Sequence, residues 1–327
     1  MKNIYILVAD NCLASSVTGP MDLFNIANTI WFRQAGLDAE PLFKVEIISI
    51  DAQPVTAAGG LVLTPNKSIK ELAECDVLMI AANNFTHKKA LNQYINQLRI
   101  GFTEIVNFSA NGGIIAGYCS ATFVLASTGL LRNKQATTSW FFKDYFEQRF
   151  PEVKVVMDKL VVQEGNYWTA GATTSYIDLC LKLIDQLAGH QIATMLSKVM
   201  LIDKTRISQQ PFMALPKIVE HGDETIASIQ EWMQINLSKN ITLDDLSSRS
   251  AMSKRNFIRR FKNAVGETPA AYLQSIRVET AKRYLENTDL TLQNILEKVG
   301  YDDTSAFRRV FHRMTSLTPK AYREKFA

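Results

Sequence analysis

Two stretches near the C-terminal end of this chain are copies of one another, and no other feature restricts its fold as tightly. Residues 242–273 read TLDDLSSRSAMSKRNFIRRFKNAVGETPAAYL, and residues 291–323 read TLQNILEKVGYDDTSAFRRVFHRMTSLTPKAYR. At an offset of 50, Phe257 meets Phe307, Phe261 meets Phe311, Thr268-Pro269 meets Thr318-Pro319 and Ala271-Tyr272 meets Ala321-Tyr322. The opening Thr242-Leu243 and Thr291-Leu292 fall one residue out of step, a slip that a turn between helices absorbs most easily. One supersecondary unit is used twice.

Each copy has the period of two short helices around a tight turn. Thr242 reads as an N-cap, Leu243 and Leu246 share a face, and Ala251-Met252-Ser253 interrupts the pattern. A second helix is expected over 253–265, with Phe257 and Phe261 spaced i, i+4 toward the core. Its other faces carry Lys254, Arg255, Asn256, Arg259, Arg260 and Lys262, and no acidic residue lies between Arg249 and Lys262. Such a run fits a solvated helix face; it also fits a recognition helix in a major groove, its basic side chains on phosphates and base edges. Recurrence favours the groove. The second copy carries Arg308, Arg309 and Arg313 on its second helix, with Thr304, Ser305 and Arg308 expected at the positions of Arg255 and Arg259. Charge favours it too. Residues 217–327 hold 18 Lys+Arg against 14 Asp+Glu and residues 1–216 hold 18 of each, so the whole +4 net charge sits with the repeat.

Between the copies, Thr268 is an N-cap, Pro269 takes the first helical position, and AAYLQSIRVETAKRYLEN continues to about residue 287. Its ~18 residues span about 27 Å. A rigid bridge of that length can present two recognition helices to successive major grooves, roughly 34 Å apart on one face of DNA. Residues 223–326 resemble the AraC/XylS DNA-binding domain, in which two helix-turn-helix units are bridged by one helix. The runs MSKRNFIRRFKNAVGETPAAYL and ILEKVGYDDTSAFRRVFHRMTSLTPKAYR carry that resemblance. One departure is Ser316, where the family, like Gly266 in the first copy, has glycine. The implied partner is double-stranded promoter DNA, with RNA polymerase as a second partner if the protein is an activator.

At 327 residues, two domains are expected. No apolar run reaches the length of a membrane span, and the Met-Lys-Asn-Ile start leads into a short strand, so a cytoplasmic protein with no membrane partner is expected. Cys12, Cys75, Cys119 and Cys180 are widely spaced without a CxxC, which suits reduced thiols and neither a disulfide frame nor a metal site. No cofactor is expected. A polar stretch with Pro211 and Pro216 marks a linker over 204–222, separating a first domain, 1–203, from a DNA-binding domain, 223–327.

The first domain alternates strand candidates (4–9, 43–50, 77–81, 114–118) with helix candidates (20–32, 88–98, 121–131, 175–187). This pattern predicts an α/β fold, a mostly parallel sheet covered by helices, with any site at the C-terminal strand ends. An all-α domain with the two helix-turn-helix units follows it. In GGIIAGYCSATFVLASTGLL a strand, a sharp turn at Cys119 and a helix follow one another. That is the layout of a nucleophile elbow, in which the helix N-terminus is expected to favour thiolate; a buried structural cysteine fits the run equally well.

The combination of CSATFVLASTGLLRNKQATTSW with an early GPMDLFNIAN is similar to the PfpI-like class I glutamine amidotransferase superfamily. It most resembles the branch fused to AraC-type domains, the GlxA-like regulators, and implies a flavodoxin-like parallel sheet. Carried over residue by residue, the family's elbow cysteine falls on Cys119. The histidine of its TTHW-like run falls on Ser139, and the acidic residue four before the early proline falls on Ser16. The glycine pair that shapes the oxyanion site is replaced by Asn83-Asn84. A thiolate needs a base or a positive neighbour, and two serines supply neither. His87 could approach this pocket, although a histidine at a helix start is more often a cap; Trp140 packs or faces a cationic ligand.

Two functions follow as expectations. The first is a transcriptional regulator whose disarmed, amidotransferase-like domain binds a small-molecule effector through Ser16, Asn83, Asn84, Cys119, Ser139 and Trp140 and forms a homodimer. Its DNA contacts are Lys254, Arg255, Asn256, Arg259, Lys262, Thr304, Ser305, Arg308 and Arg309. Related regulators respond to amino acids and quaternary amines, so the resemblance implies a nitrogen-containing metabolite. The alternative is a cysteine-dependent amidase or hydrolase.

Overall fold

In a computed structural model the described residues are 1–85, 87–203, 206, 208–213 and 221–327. Of the expected linker 204–222, residues 204, 205, 207 and 214–220 lie outside them. The chain forms two compact units, Met1–Gln209 and Gln210–Ala327.

The first unit contains strands β1 (Lys2–Leu7), β2 (Phe43–Ser49), β3 (Val55–Thr56), β4 (Val62–Leu63), β5 (Lys67–Ser68) and β6 (Val77–Ile80). They are followed by β7 (Ile114–Tyr118), β8 (Gln135–Ala136), β9 (Lys154–Val155), β10 (Val161–Glu164) and β11 (Tyr167–Ala170). Its helices are α1 (Ser15–Ala35), α2 (Lys88–Arg99), α3 (Phe102–Ala110), α4 (Ala121–Ser127), α5 (Lys143–Arg149), α6 (Tyr176–Ala188) and α7 (His190–Val199). The main sheet has the order β10-β11-β7-β6-β1-β2-β5 and is parallel except for the β10–β11 hairpin. Alternate side chains of β1 enter opposite cores, as the two-residue period of a strand requires. Ile4 and Ile6 pack with Phe24 of α1 and Ile184 of α6, whereas Tyr5 and Leu7 pack with Ile95 of α2 and Ile105 of α3. Helices thus cover both faces, and the elbow stands at the C-terminal end of β7.

Three sequence expectations shift. The first strand is Lys2–Leu7 in place of 4–9, and α4 stops at Ser127, short of 131. The helix expected from residue 20 starts at Ser15 and carries Pro20 inside it. Proline has no N–H to give the carbonyl four residues back. Here that carbonyl belongs to Ser16, and the Tyr118 hydroxyl donates to it instead. The early proline therefore ties α1 to the strand that ends in the elbow.

The second unit contains α8 (Glu224–Ile235), α9 (Leu243–Arg249), α10 (Lys254–Val265), α11 (Pro269–Asn287), α12 (Leu292–Val299), α13 (Thr304–Thr315) and α14 (Pro319–Phe326). The expected caps Thr242 and Thr268 are joined by Asp223, Ser253, Thr291 and Thr318, each accepting a backbone N–H at a helix start. The repeat is geometric as well. Rings of Phe257 and Phe261 lie 5.6 Å apart and those of Phe261 and Tyr272 5.5 Å; in the second copy Phe307–Phe311 is 5.5 Å and Phe311–Tyr322 is 5.4 Å. Helix α11 serves both copies. Its Tyr272 and Ile276 complete one core with Phe257 and Phe261, while Val278, Ala281 and Leu285 complete another with Phe307 and Phe311.

Candidate effector pocket and nucleic-acid interface

Cys119 has a left-handed backbone, φ 54°, where β7 breaks into α4. A left-handed conformation is strained for a side chain larger than glycine and persists only when its surroundings fix it. Three segments do so. The Cys119 N–H donates to Gly171 O at 2.7 Å and to Ala170 O at 3.1 Å, Thr138 Oγ1 donates to Cys119 O at 2.7 Å, and Thr173 Oγ1 donates to Cys119 Sγ at 3.6 Å. Next to it, Ser120 Oγ accepts from Asn83 N at 2.7 Å and donates to Asn83 O at 3.1 Å.

The expected pocket residues are gathered by backbone bonds. Ser16 Oγ donates to Leu13 O at 2.6 Å and Ala82 O at 3.2 Å, one residue before Asn83. Asn83 Nδ2 donates to Asp10 O at 2.8 Å, Asn84 N donates to Asn11 O at 3.0 Å, and the Asn11 side chain donates to Asn84 O. Ser139 follows the Thr138 anchor and is buried; Trp140 is half-buried and its N–H donates to Gln209 Oε1 at 3.2 Å. His87 is a cap: its Nδ1 accepts from Ala90 N at 3.1 Å at the start of α2.

Chemically, the arrangement is poor in what a nucleophile needs. The side-chain partner of the Cys119 thiol among the described residues is a threonine hydroxyl. The expected stabilisation of thiolate by the helix is overturned: burial, at 7% exposure, pushes the Cys119 thiol above its ordinary value. The helix behind it has only seven residues, and removal from water opposes the charge more strongly than its N–H groups favour it. No group of three or more His, Cys, Asp or Glu suited to a metal occurs among the described residues. Cavities of about 460 Å³, beside α6 and α7, and about 430 Å³, beside α3, are not lined by Cys119.

Sequence reasoning missed Thr138, Thr173 and Gln209, of which the Thr pairs at 137–138 and 173–174 were the available signal. Cys12, Cys119 and Cys180 are buried and Cys75 is half-buried. Burial raises Cys12 from the usual 9.0 to about 11 and Cys75 to about 12, and raises Cys180 further. The folded unit keeps protons that the unfolded chain releases, so this stability is complete below the ordinary thiol value and is lost as pH rises through the raised ones. Melting of the first unit is expected to be flat to about pH 8 and to fall by about pH 10.5. Differential scanning calorimetry checks it; a melting temperature that rises over that window contradicts it.

On the second unit, Arg255, Arg259 and Lys262 are exposed on α10. Arg259 donates to Asn256 Oδ1 at 3.1 Å, and Lys254 meets Asp244 at 2.6 Å in an exposed pair that water screens. Arg260 is committed elsewhere, gripping both carboxylate oxygens of Asp223 at 2.6 and 2.9 Å. On α13, Ser305, Arg308 and Arg309 are exposed and Thr304 is half-buried. The 50-residue register pairs Lys254 with Thr304, Arg255 with Ser305 and Arg259 with Arg309, so Arg308 falls opposite Ile258, not Arg259. Asp303 is an N-cap that accepts from Ser305 N at 2.7 Å and Ala306 N at 3.1 Å.

Residues 2–186 match the DJ-1/PfpI family, and residues 246–325 match a helix-turn-helix domain. The HTH-type transcriptional regulator CdhR of Pseudomonas aeruginosa is 24% identical over 280 residues, 85% of this chain and 81% of the relative. The HTH-type transcriptional regulator GbdR of the same organism is 20% identical over 324 residues, 99% of this chain and 84% of the relative. Among solved structures, a transcriptional regulator protein of Vibrio parahaemolyticus aligns over 61% of this chain and 98% of its own, with TM-score 0.53 and 16% identity. A DJ-1 superfamily protein of Salmonella typhimurium aligns over 62% and 100%, with TM-score 0.51 and 16% identity. These two likenesses concern the fold alone. The chain belongs to the DJ-1/PfpI family and carries a helix-turn-helix domain at its C-terminal end.

Proposed function

We propose that this chain is a DNA-binding transcriptional regulator whose first domain, residues 1–203, senses a small molecule at the elbow and dimerises, while residues 223–327 hold promoter DNA. The observation that carries the reading is the duplicated recognition helix. Both α10 and α13 bury paired phenylalanines on one side and expose arginines on the other. That segregation suits a helix seated in a groove, with phosphate contacts positioning it and base contacts specifying. Regulators among the relatives support it.

The elbow is read as a binding site without turnover, because a protonated thiol with a hydroxyl partner is a weak nucleophile. A nitrogen-containing cation is the favoured effector class, since Trp140 and the exposed Phe141 offer ring faces beside the Thr138 anchor. Exposed Met195 and Val199 on α7 support self-association of the first domain.

Two assays on one preparation test this. Gel shift on the chain's own upstream DNA is expected to give a specific complex that Cys119→Ser leaves intact. Thermal shift against amino acids and quaternary amines is expected to find a stabilising ligand, because binding to the native state alone raises stability by mass action. Amide hydrolysis that disappears in Cys119→Ser, with no specific DNA complex, would sink the reading in favour of a hydrolase.

A further inference from the structure

The first unit ends at Gln209 and the second begins at Gln210, and the side chains of Arg206, Gln209 and Gln210 are each held. Arg206 donates to Thr174 Oγ1 at 3.1 Å and Thr174 O at 3.0 Å and pairs with Asp178 at 2.5 Å. Gln209, only 2% exposed, donates to Thr137 Oγ1 at 3.1 Å and Thr138 O at 3.0 Å and accepts from Trp140 N. Its carboxamide lies over Gly171, where an added Cβ would come within 2.3 Å of it. Apart from Asp178 on α6, these anchors fall on segments that hold Cys119: Thr138 binds its carbonyl, Gly171 its N–H, and Thr173, the neighbour of Thr174, its sulfur.

The next residue is anchored within the other unit. Gln210 Oε1 accepts from Ser316 Oγ at 2.5 Å, and Phe212 meets the Phe326 ring edge-on at 5.3 Å. Ser316 is the C-cap of α13 in a left-handed conformation, φ 58°, at the place where the first copy has Gly266, φ 86°. Serine is strained there where glycine is not. The hydroxyl that glycine lacks is the group that holds Gln210.

We propose that Gln209 and Gln210, with Arg206 ahead of them, act as a strap that reports the state of the elbow to the second helix-turn-helix unit. This rests on the reading of the elbow as an effector pocket. A ligand that shifts the 137–140 or 173–175 turn removes the partners of Gln209 or Arg206. Consecutive Cα atoms stay 3.8 Å apart across a trans peptide, so a withdrawn Gln209 drags the backbone of Gln210 and disturbs its bond to Ser316 at the end of α13. Such coupling needs a physical element that both sites bias, and adjacent glutamines committed to different units supply one.

A double-mutant cycle on the full chain, without effector, tests the strap. Affinity for the upstream DNA is measured by fluorescence anisotropy for wild type, Gln209→Ala, Ser316→Gly and the pair. Gln209→Ala is expected to change affinity about fivefold or more in wild type and less than about twofold once Ser316→Gly has cut the link. Ser316→Gly suits the left-handed position and keeps the fold. Gly171→Ala expels the same carboxamide from its other side and should reproduce the Gln209→Ala result in both backgrounds. The same fold-change in both backgrounds, or no change in either, overturns the strap. The cycle contains no ligand, so its failure is separate from failure of the pocket reading, which the thermal shift detects.

Discussion

Phe307→Ala should unfold the second helix-turn-helix unit while the first stays folded. Phe307 is fully buried, with the Tyr301 ring 5.1 Å away on one side and that of Phe311 5.5 Å away on the other. Truncating a buried phenylalanine costs about 3–5 kcal/mol, and lost ring contacts add roughly 0.5–1.5 kcal/mol. A whole domain has only about 5–15 kcal/mol. The loss stays local because the core around Phe307 shares no buried side chain with the core around Phe257. Hydrogen exchange on the full chain reads this directly. Peptides over 292–326 should lose protection while those over 243–265 keep it, and equal loss in both would contradict the two-core description.

The second large effect concerns the tether. Residues 210–327 alone are expected to bind DNA weakly, since 217–327 carries a net charge of only +4, and weaker still as salt displaces its phosphate contacts. If the first domain dimerises, a second DNA-binding domain is held at high local concentration. That raises overall affinity by about 10²–10⁴ without a new contact. Titration of one operator fragment with the full chain and with 210–327 at two salt concentrations measures the ratio. Equal affinities, with a monomer in sedimentation both free and on DNA, would rule out the dimer.

The second unit was almost entirely legible in the sequence. Thr268, Pro269 and the apolar stripe fix α11 at Pro269–Asn287, as expected, because caps and i, i+4 periodicity are local signals. In the first unit, strand β7 and the Cys119 turn were legible for the same reason. What escaped depends on partners distant in the chain. Pro20 sits inside α1 because Tyr118, 98 residues later in number, takes over the orphaned carbonyl of Ser16. The helix N-terminus behind Cys119 was expected to favour thiolate, with a buried structural cysteine as the equal alternative; burial raises the thiol above its ordinary value. Ser316 read only as a departure from the family's glycine, and its contact with Gln210 gives the substitution a purpose. Gln209 carried no motif at all.

Sequence preference on DNA tests the central claim most directly. Footprinting of the full chain on its upstream region should protect two major-groove segments about 34 Å apart. Arg259→Ala should relax base preference within one of them, by about 1–3 kcal/mol of discrimination. Lys262→Ala should weaken binding to all sequences alike. Protection that ignores sequence in wild type, or an unchanged base preference in Arg259→Ala, would contradict the assignment of α10 as a recognition helix.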